Sequence, residues 1–325
     1  MKNTTKPEPT ISIVIPALNE EPKIEKTLKS LRNQTIEKNR LELIVVDNGS
    51  TDRTVSIAEK LADQVLVRPN CTVGAARNYG AQISQGDILV CTDADCEFEN
   101  NWLETGIRLL EEHPNTVFGG GLKTPKEDAS WVEEYWLLNQ SGEAIQQQDL
   151  MGSCIFIKKN HFTLVSGFDE SITSGEDSDL SERLRKAGLD ISTSPLLSVI
   201  HRGSPKTLSK FIKRQVWHSE NYIKKIKNSM SDKMFYLTII YLISAISMIT
   251  GTLIQKPILA AAGTFLVIAI PTALSYKRIK RSKFKPRKLS ELIKIYTLDQ
   301  VYIIGRCIGL IKGIIKPITN PKKTK

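Results

Sequence analysis

From Met234 to Ile254 the chain reads MFYLTIIYLISAISMITGTLI, 21 residues without a charge. After Gln255-Lys256-Pro257 comes a second uncharged run of 19 residues, Ile258 to Tyr276. As helices rising 1.5 Å per residue, each run covers about 30 Å, the thickness of a bilayer core. Helices that pack on a soluble core keep a polar face, and these keep almost none. The expectation is a transmembrane hairpin with helices at about 234–254 and 258–276.

Charge supports an orientation. Residues 277–288, KRIKRSKFKPRK, hold eight Lys or Arg, and the flank from Phe211 to Lys233 is also basic, while the turn between the runs holds one Lys. By the positive-inside rule both flanks face the cytoplasm, and the N-terminal body with them. The basic segment is expected to meet anionic membrane lipids. A third apolar stretch, 289–316, is interrupted by Lys294, Asp299, Arg306 and Lys312. It reads as an amphipathic helix that lies at the interface or re-enters the membrane. Residues 229–325 thus form a membrane domain, multi-pass in a cytoplasmic (inner) membrane. Residues 1–9 read as an N-terminal extension, and Ile11–Leu18, broken by Pro16, is too short for a signal peptide.

The net charge of +10 belongs to the tail alone. Residues 1–233 carry 29 Lys or Arg against 33 Asp or Glu, and residues 234–325 carry 16 against 2. A mildly acidic body argues against nucleic acid as a partner. The five cysteines, at 71, 91, 96, 154 and 307, form no CxxC pair, which argues against a disulfide framework or structural zinc and fits a reducing compartment.

Residues 11–121 alternate strand-like and helical patterns. Strands are expected at ISIVI (11–15), LELIVVD (41–47), QVLV (64–67) and GDILVCTD (86–93), and helices near 21–33, 53–62, 73–84 and 101–112. Continuous apolar strands between helices predict a Rossmann-like α/β fold, a mostly parallel sheet with helices on both faces. Ligands bind such sheets at the carboxyl ends of the strands. There the sequence places Pro16-Ala-Leu-Asn19-Glu20, Asp47-Asn48-Gly49-Ser50-Thr51-Asp52 and Asp93-Ala94-Asp95, with Gly74-Ala-Ala-Arg77-Asn78 opening a helix nearby. Neither GxGxxG nor GxxxxGK[ST] occurs, so a dinucleotide fingerprint or P-loop is not expected. Ser50-Thr51-Asp52 is an N-cap cluster, and Asp52 reads as a helix cap or, alternatively, as part of the site at these strand ends.

PALNE, VVDNGSTD, GAARNYGA, TDADC, SGFDE and GEDSDL, in this order and spacing, resemble the family 2 glycosyltransferases of the GT-A fold, over about residues 10–205. The resemblance implies a catalytic domain at 10–228, with a nucleotide-binding half at 10–121 and an acceptor half at 122–228. It implies a nucleotide-sugar donor and a divalent cation, Mg²⁺ or Mn²⁺, held by a DXD motif. Asp95 is then assigned to metal and Asp93 to the nucleotide, with His201 near the metal. Pro16, Asn19, Glu20 and Asp47 hold base and ribose, and Arg77 meets phosphate. Asp177 is the general base and Glu176 its orienting neighbour, while Asp179 complements the helix dipole. Gln215-Val-Trp217-His218 resembles only faintly the QxxRW motif of processive synthases. The Arg-Trp pair is missing, which points to single-sugar transfer.

The implied activity is that of an inverting, metal-dependent nucleotide-sugar glycosyltransferase. It would act on a lipid-linked or other membrane-associated acceptor in cell-envelope polysaccharide or glycolipid synthesis. Polyprenyl phosphate is the alternative acceptor. A non-catalytic nucleotide-sugar-binding scaffold and a soluble module with a lipid-binding hairpin are the alternatives from other classes. On this division a chain ending near Lys227 is expected to be soluble.

Overall fold

The computed structural model describes residues 10–125, 127–138, 149–220, 222, 229–230, 232–282 and 284–319. The expected extension 1–9 lies outside them, as does part of the expected acceptor half at 122–228. The chain divides into two compact units, Met1–Lys126 with Ser141–Gly203, and Glu127–Gln140 with Ser204–Lys325.

The first unit runs β1 (Ile11–Ala17), α1 (Ile24–Arg32), β2 (Leu41–Asp47), α2 (Thr54–Ala58), β3 (Gln64–Val67), α3 (Val73–Ile83), β4 (Ile88–Cys91), β5 (Cys96–Glu97), α4 (Trp102–Glu112), β6 (Thr116–Gly119) and β7 (Leu122–Lys123). After α5 (Trp131–Leu137), which belongs to the second unit, it resumes with β8 (Ile155–Lys158), α6 (Lys159–Leu164), α7 (Glu176–Lys186), β9 (Asp190–Thr193) and β10 (Val199–His201). Seven strands form one sheet in the order β3-β2-β1-β4-β8-β6-β9. β3, β2, β1 and β4 are mutually parallel, and β8 enters antiparallel between β4 and β6. A mostly parallel GT-A-type sheet is therefore present.

Alternation along the strands sends side chains to two buried faces. Ile11, Ile13, Ile15, Leu43, Val45 and Val90 pack with Leu28 and Leu31 of α1 and Trp102 and Leu103 of α4. Val14, Ile44, Val46, Leu89 and Ile155 pack with Ala76 of α3 and Leu180 and Leu184 of α7. Each such side chain, fully withdrawn from water, contributes about 1.5–3 kcal/mol, and their number fixes the register that aligns the strand ends.

A second sheet, β5-β10-β7, is small but positions the site. β10 pairs antiparallel with β5, setting His201 opposite Cys96. The turn before β5 is held by its backbone carbonyls, since Arg202 N donates to Asp95 O at 2.9 Å and the Thr27 hydroxyl to Ala94 O at 2.8 Å.

The second unit contains α5, α8 (Leu208–Ser219), α9 (Lys233–Leu253), α10 (Pro257–Ser282) and α11 (Leu289–Thr319). α5 begins with a capping box between Ser130 and Glu133. Its Val132, Tyr135 and Leu138 pack with Phe211 of α8, Phe284, and Ile295 and Leu298 of α11. Gly305, Gly309 and Gly313 let α11 approach α8 closely. A Cβ on Gly309 would fall 2.1 Å from Ser219 Oγ and 2.3 Å from Val216 O. Gln215 of the QVWH stretch serves this same packing, its Cβ 2.7 Å from where a Gly305 Cβ would lie. Arg278 pairs with Asp299 at 2.8 Å, Ser275 Oγ donates to that carboxylate at 2.6 Å, and Arg278 also donates to the C-terminal carbonyls of α5.

α9 and α10 are long and apolar enough to cross a membrane, with mean hydropathies of 1.8 and 2.0. Their lengths match the two uncharged runs, except that α10 continues as helix through Lys277–Ser282, the first part of the basic segment.

Candidate active site

The parallel strands deliver their carboxyl ends to one edge of the first unit. Asp47 ends β2, and its carboxylate accepts from Gly49 N at 2.9 Å, Ser50 N at 2.8 Å and the Ser50 hydroxyl. Asn19, with φ 55°, accepts from Thr51 N at 2.9 Å and donates its own N–H to Ser50 Oγ at 2.8 Å. Asp52 accepts from Glu21 N at 3.2 Å, which ties the two loops together, and from Thr54 N, the first residue of α2, at 3.0 Å, while the N-cap position itself is Arg53. Pro16 lies within β1 opposite Val46. The Pro16–Glu20 turn and the Asp47–Asp52 loop are thus one interlocked wall.

Beside it, one ligand atom each from Asp93, Asp95, Cys96 and His201 lie within 4.8 Å of one another. His201 Nε2 is 3.3 Å from Asp95 Oδ1 and 4.0 Å from Asp93 Oδ2. Burial, with the charges of Asp93 and Asp95, pushes the Cys96 thiol well above its ordinary range, so it keeps its proton. What remains for a cation is two carboxylates and an imidazole, a mostly oxygen set that suits Mg²⁺ or Mn²⁺. Gly203 leaves room for this cluster, since a Cβ there would fall 1.9 Å from Asp95 Oδ2. The residues present therefore fit a divalent cation.

Lys23 completes the cluster, and nothing in the sequence singled it out. Its ammonium lies 2.7 Å from Glu20 Oε2 and 3.3 Å from Asp95 Oδ2. Burial works against the Lys23 charge, but the Glu20 hydrogen bond and the Asp95 carboxylate overcome it and leave the pKa above its usual value. Burial raises the Glu20 carboxyl in turn, against the lowering effect of Lys23.

Arg77 is the fifth residue of α3 and is buried. Its guanidinium bridges two acids, Nη2 to Asp93 Oδ1 at 2.8 Å and Nη1 to Glu176 Oε1 at 2.9 Å. It thereby links the DXD turn to the start of α7. Asp177, next along, accepts from Gly152 N at 3.2 Å and from its neighbour Ser178 N at 2.8 Å. Burial and the Glu176 charge push its carboxyl up to about 6, against the opposing pull of Arg77. Gly152 has a double role that the sequence did not reveal. Besides donating to Asp177, it leaves space for Arg77, whose Nη2 would lie 2.4 Å from a Cβ there. Asp179 instead pairs with Arg183 at 2.8 Å, and Arg183 donates to Val165 O and Gly167 O. This secures the SGFDE turn against α7.

All ten residues singled out from the sequence thus lie in the first unit. Asp93, Asp95, His201, Arg77 and Glu176 form one connected set of polar contacts, to which Glu20 is joined through Lys23. Asp47, Asn19 and Pro16 form the adjoining wall.

A mostly parallel sheet with this acid-bearing edge and an antiparallel insertion defines a GT-A fold. Residues 12–170 match the family model described as Glycosyl transferase family 2, so this part of the chain is a family 2 glycosyltransferase domain. Among relatives, glycosyltransferase AglE of Haloferax volcanii is 29% identical over 194 residues, 57% of this chain and 64% of that one. The chain thus spans less than two thirds of that relative's length. The glucosyl-dolichyl phosphate glucuronosyltransferase of the same organism is 24% identical over 281 residues, 76% of this chain and 87% of that one. Among solved structures, the mannosyltransferase PcManGT from Pyrobaculum calidifontis, in complex with GDP-Man and Mn²⁺, matches with a TM-score of 0.59 at 19% identity, over 94% of this chain and 87% of that one.

Proposed function

We propose that this protein is an inverting glycosyltransferase. It transfers one sugar from a nucleotide-sugar donor to a lipid-linked acceptor at a membrane, in cell-envelope polysaccharide or glycolipid assembly. The observation that carries the reading is the buried Arg77 bridge, which ties a DXD turn to a second acidic pair across one site.

In this reading the Asp47 loop and the Pro16–Glu20 turn receive the base and ribose, and Asp93 orients the nucleotide. Asp95 and His201 would hold a divalent cation, which when bound would supply Lewis-acid neutralisation of the departing diphosphate. Asp177 takes the proton from the acceptor hydroxyl as that oxygen attacks the anomeric carbon and the bond to the diphosphate breaks. One displacement inverts the configuration. A carboxyl raised to about 6 stays ionised at neutral pH yet is a stronger base than an ordinary aspartate. That tuning favours a hydroxyl acceptor over polyprenyl phosphate, whose attack makes little demand on a base. Arg77 acts here by positioning Asp93 and Glu176, since its guanidinium is turned inward between them.

α9 and α10 would anchor the chain at the inner face of the cytoplasmic membrane, with 277–288 on anionic lipid and the first unit in the cytoplasm. The glucuronosyltransferase relative, named for a dolichyl phosphate-linked substrate, supports a lipid-linked acceptor. The test is a donor panel. Full-length protein in detergent is offered UDP-, GDP- and dTDP-sugars with Mn²⁺ and a lipid extract. Metal-dependent release of nucleoside diphosphate, lost in Asp95→Ala, supports the reading. No turnover with any donor, together with no donor-induced thermal shift, refutes it.

A further inference from the structure

Asp95 has no unengaged oxygen. Oδ1 faces His201 Nε2 at 3.3 Å, and Oδ2 accepts from Lys23 Nζ at 3.3 Å. On another side of Oδ2 the backbone at Gly203 passes so close that a Cβ would fall 1.9 Å away. Approach to Oδ2 is therefore shared between the polypeptide and an ammonium group. Lys23 is held there by more than chance. It immediately precedes the first helical residue of α1, and Glu20 Oε2, 2.7 Å from its nitrogen, gives it a second anionic anchor. Lys23 is only partly exposed, with 27% of its side chain accessible, so water screens the contact incompletely.

We propose that Lys23 is an internal counter-ion of the metal site, which a divalent cation must displace from Asp95. It thereby sets how tightly the site holds a cation before a donor arrives. This rests on the reading that Asp95 holds the cation. An ammonium and a divalent ion a few ångströms apart on one carboxylate oxygen repel strongly where screening is partial. Free cation therefore binds against the Lys23 contact. A ligand that brings its own negative charge, as a donor's diphosphate does, offers Lys23 another anionic partner and relieves that competition. Cation and donor then bind cooperatively, with no second metal site required.

The experiment measures Mn²⁺ binding alone, without donor, by the loss of the free-ion electron paramagnetic resonance signal and by calorimetry. Full-length protein in detergent is compared as wild type, Lys23→Met, Lys23→Gln, Lys23→Arg and Asp95→Asn. Removing the ammonium should tighten Mn²⁺ binding by at least about fivefold in both neutral variants. Arg, which keeps the charge, should stay within about twofold of wild type. Unchanged or weaker binding in both neutral variants overturns the inference. So does an Arg variant that tightens as much as Met, since charge would then not be the cause. Asp95→Asn reports separately. If it binds Mn²⁺ like wild type, the metal assignment itself fails, whatever Lys23 does. If it loses binding while the neutral Lys23 variants do not tighten, only the Lys23 inference fails.

Discussion

Arg77 and Glu176 meet inside the first unit, Nη1 to Oε1 at 2.9 Å, with 2% and 11% of their side chains exposed. They are 99 residues apart in sequence. The other arm of the same guanidinium holds Asp93. One buried cation thus keeps two acids in place, and among the described residues neither acid has another cation as close.

Removing that cation is therefore costly twice over. Breaking a buried pair from one side leaves uncompensated charge and costs about 3–5 kcal/mol. Arg77→Met is expected to lower stability by about 3 kcal/mol and to abolish transfer. Arg77→Lys keeps the charge but cannot reach both acids with one ammonium, so it should fall between. Urea unfolding of the detergent-solubilised chain checks the first claim. A Met variant as stable as wild type would contradict the bridge.

Much of this was readable beforehand. LELIVVD and QVLV form strands at the residues expected, and the helices near 73–84 and 101–112 form at Val73–Ile83 and Trp102–Glu112. These elements are local, and their apolar runs and caps report them. The antiparallel entry of Ile155–Lys158 beside β4 was not readable, because four residues carry too little periodicity to name a partner. Lys23 and Gly152 were missed for a similar reason. A lysine opening a helix and a glycine before a strand are ordinary locally, and only long-range pairing gives them meaning. The second unit shows the same limit. Nothing local in WVEEYWL tells that it packs with helices some 150 residues later in the chain.

Asp177 links rate to stability with opposite signs. Its carboxyl titrates near 6 in the folded protein, above the ordinary aspartate value of 3.8. A raised carboxyl contributes stability that is full below about pH 4 and is lost as pH rises through about 6. At pH 8 its ionised form is a net cost of about 3 kcal/mol. Asp177→Asn should therefore melt higher than wild type at pH 8 and equally at pH 4. Transfer should fall by about 10²–10⁴, and wild-type kcat/KM should rise with pH through about 6 before levelling. Scanning fluorimetry at the two pH values decides the stability claim. A lower melting point for Asn at pH 8 would remove the reading of Asp177 as a carboxyl raised by burial.

Gly203→Ala probes the metal cluster without replacing a ligand. Gly203 needs no left-handed backbone, so Ala fits the chain conformation. Its methyl would sit 1.9 Å from Asp95 Oδ2 and 2.9 Å from His201 Cε1, and must push the carboxylate aside. Mn²⁺ affinity is expected to drop about tenfold or more, with a stability loss of about 1–3 kcal/mol from overpacking. Calorimetric titration of the Ala variant measures this, with Asp95→Ala as the reference for complete loss. Wild-type Mn²⁺ affinity in Gly203→Ala would show that the cation does not use this oxygen.

The membrane helices bear on folding as well as on location. Read from sequence, a chain ending near Lys227 should be soluble. The structure gives a reason to expect otherwise. Val132, Tyr135, Leu138 and Phe211 are buried against Phe284, Ile295 and Leu298, all of which that truncation removes. At about 1.5–3 kcal/mol per fully buried large apolar side chain, the four lose roughly 6–12 kcal/mol of burial, comparable with the whole stability of an ordinary domain. The same cut removes the Gly305–Gly313 face that covers α8. The shortened chain should therefore aggregate or bind a hydrophobic dye, even though it keeps every residue of the acidic cluster. Replacing Val132, Tyr135, Leu138 and Phe211 by polar residues in the shortened chain should restore solubility and retain Mn²⁺ binding. Size-exclusion chromatography of both forms decides the matter. A monomeric, dye-silent chain ending at Lys227 with its native residues would mean that α5 and α8 hold together without α11.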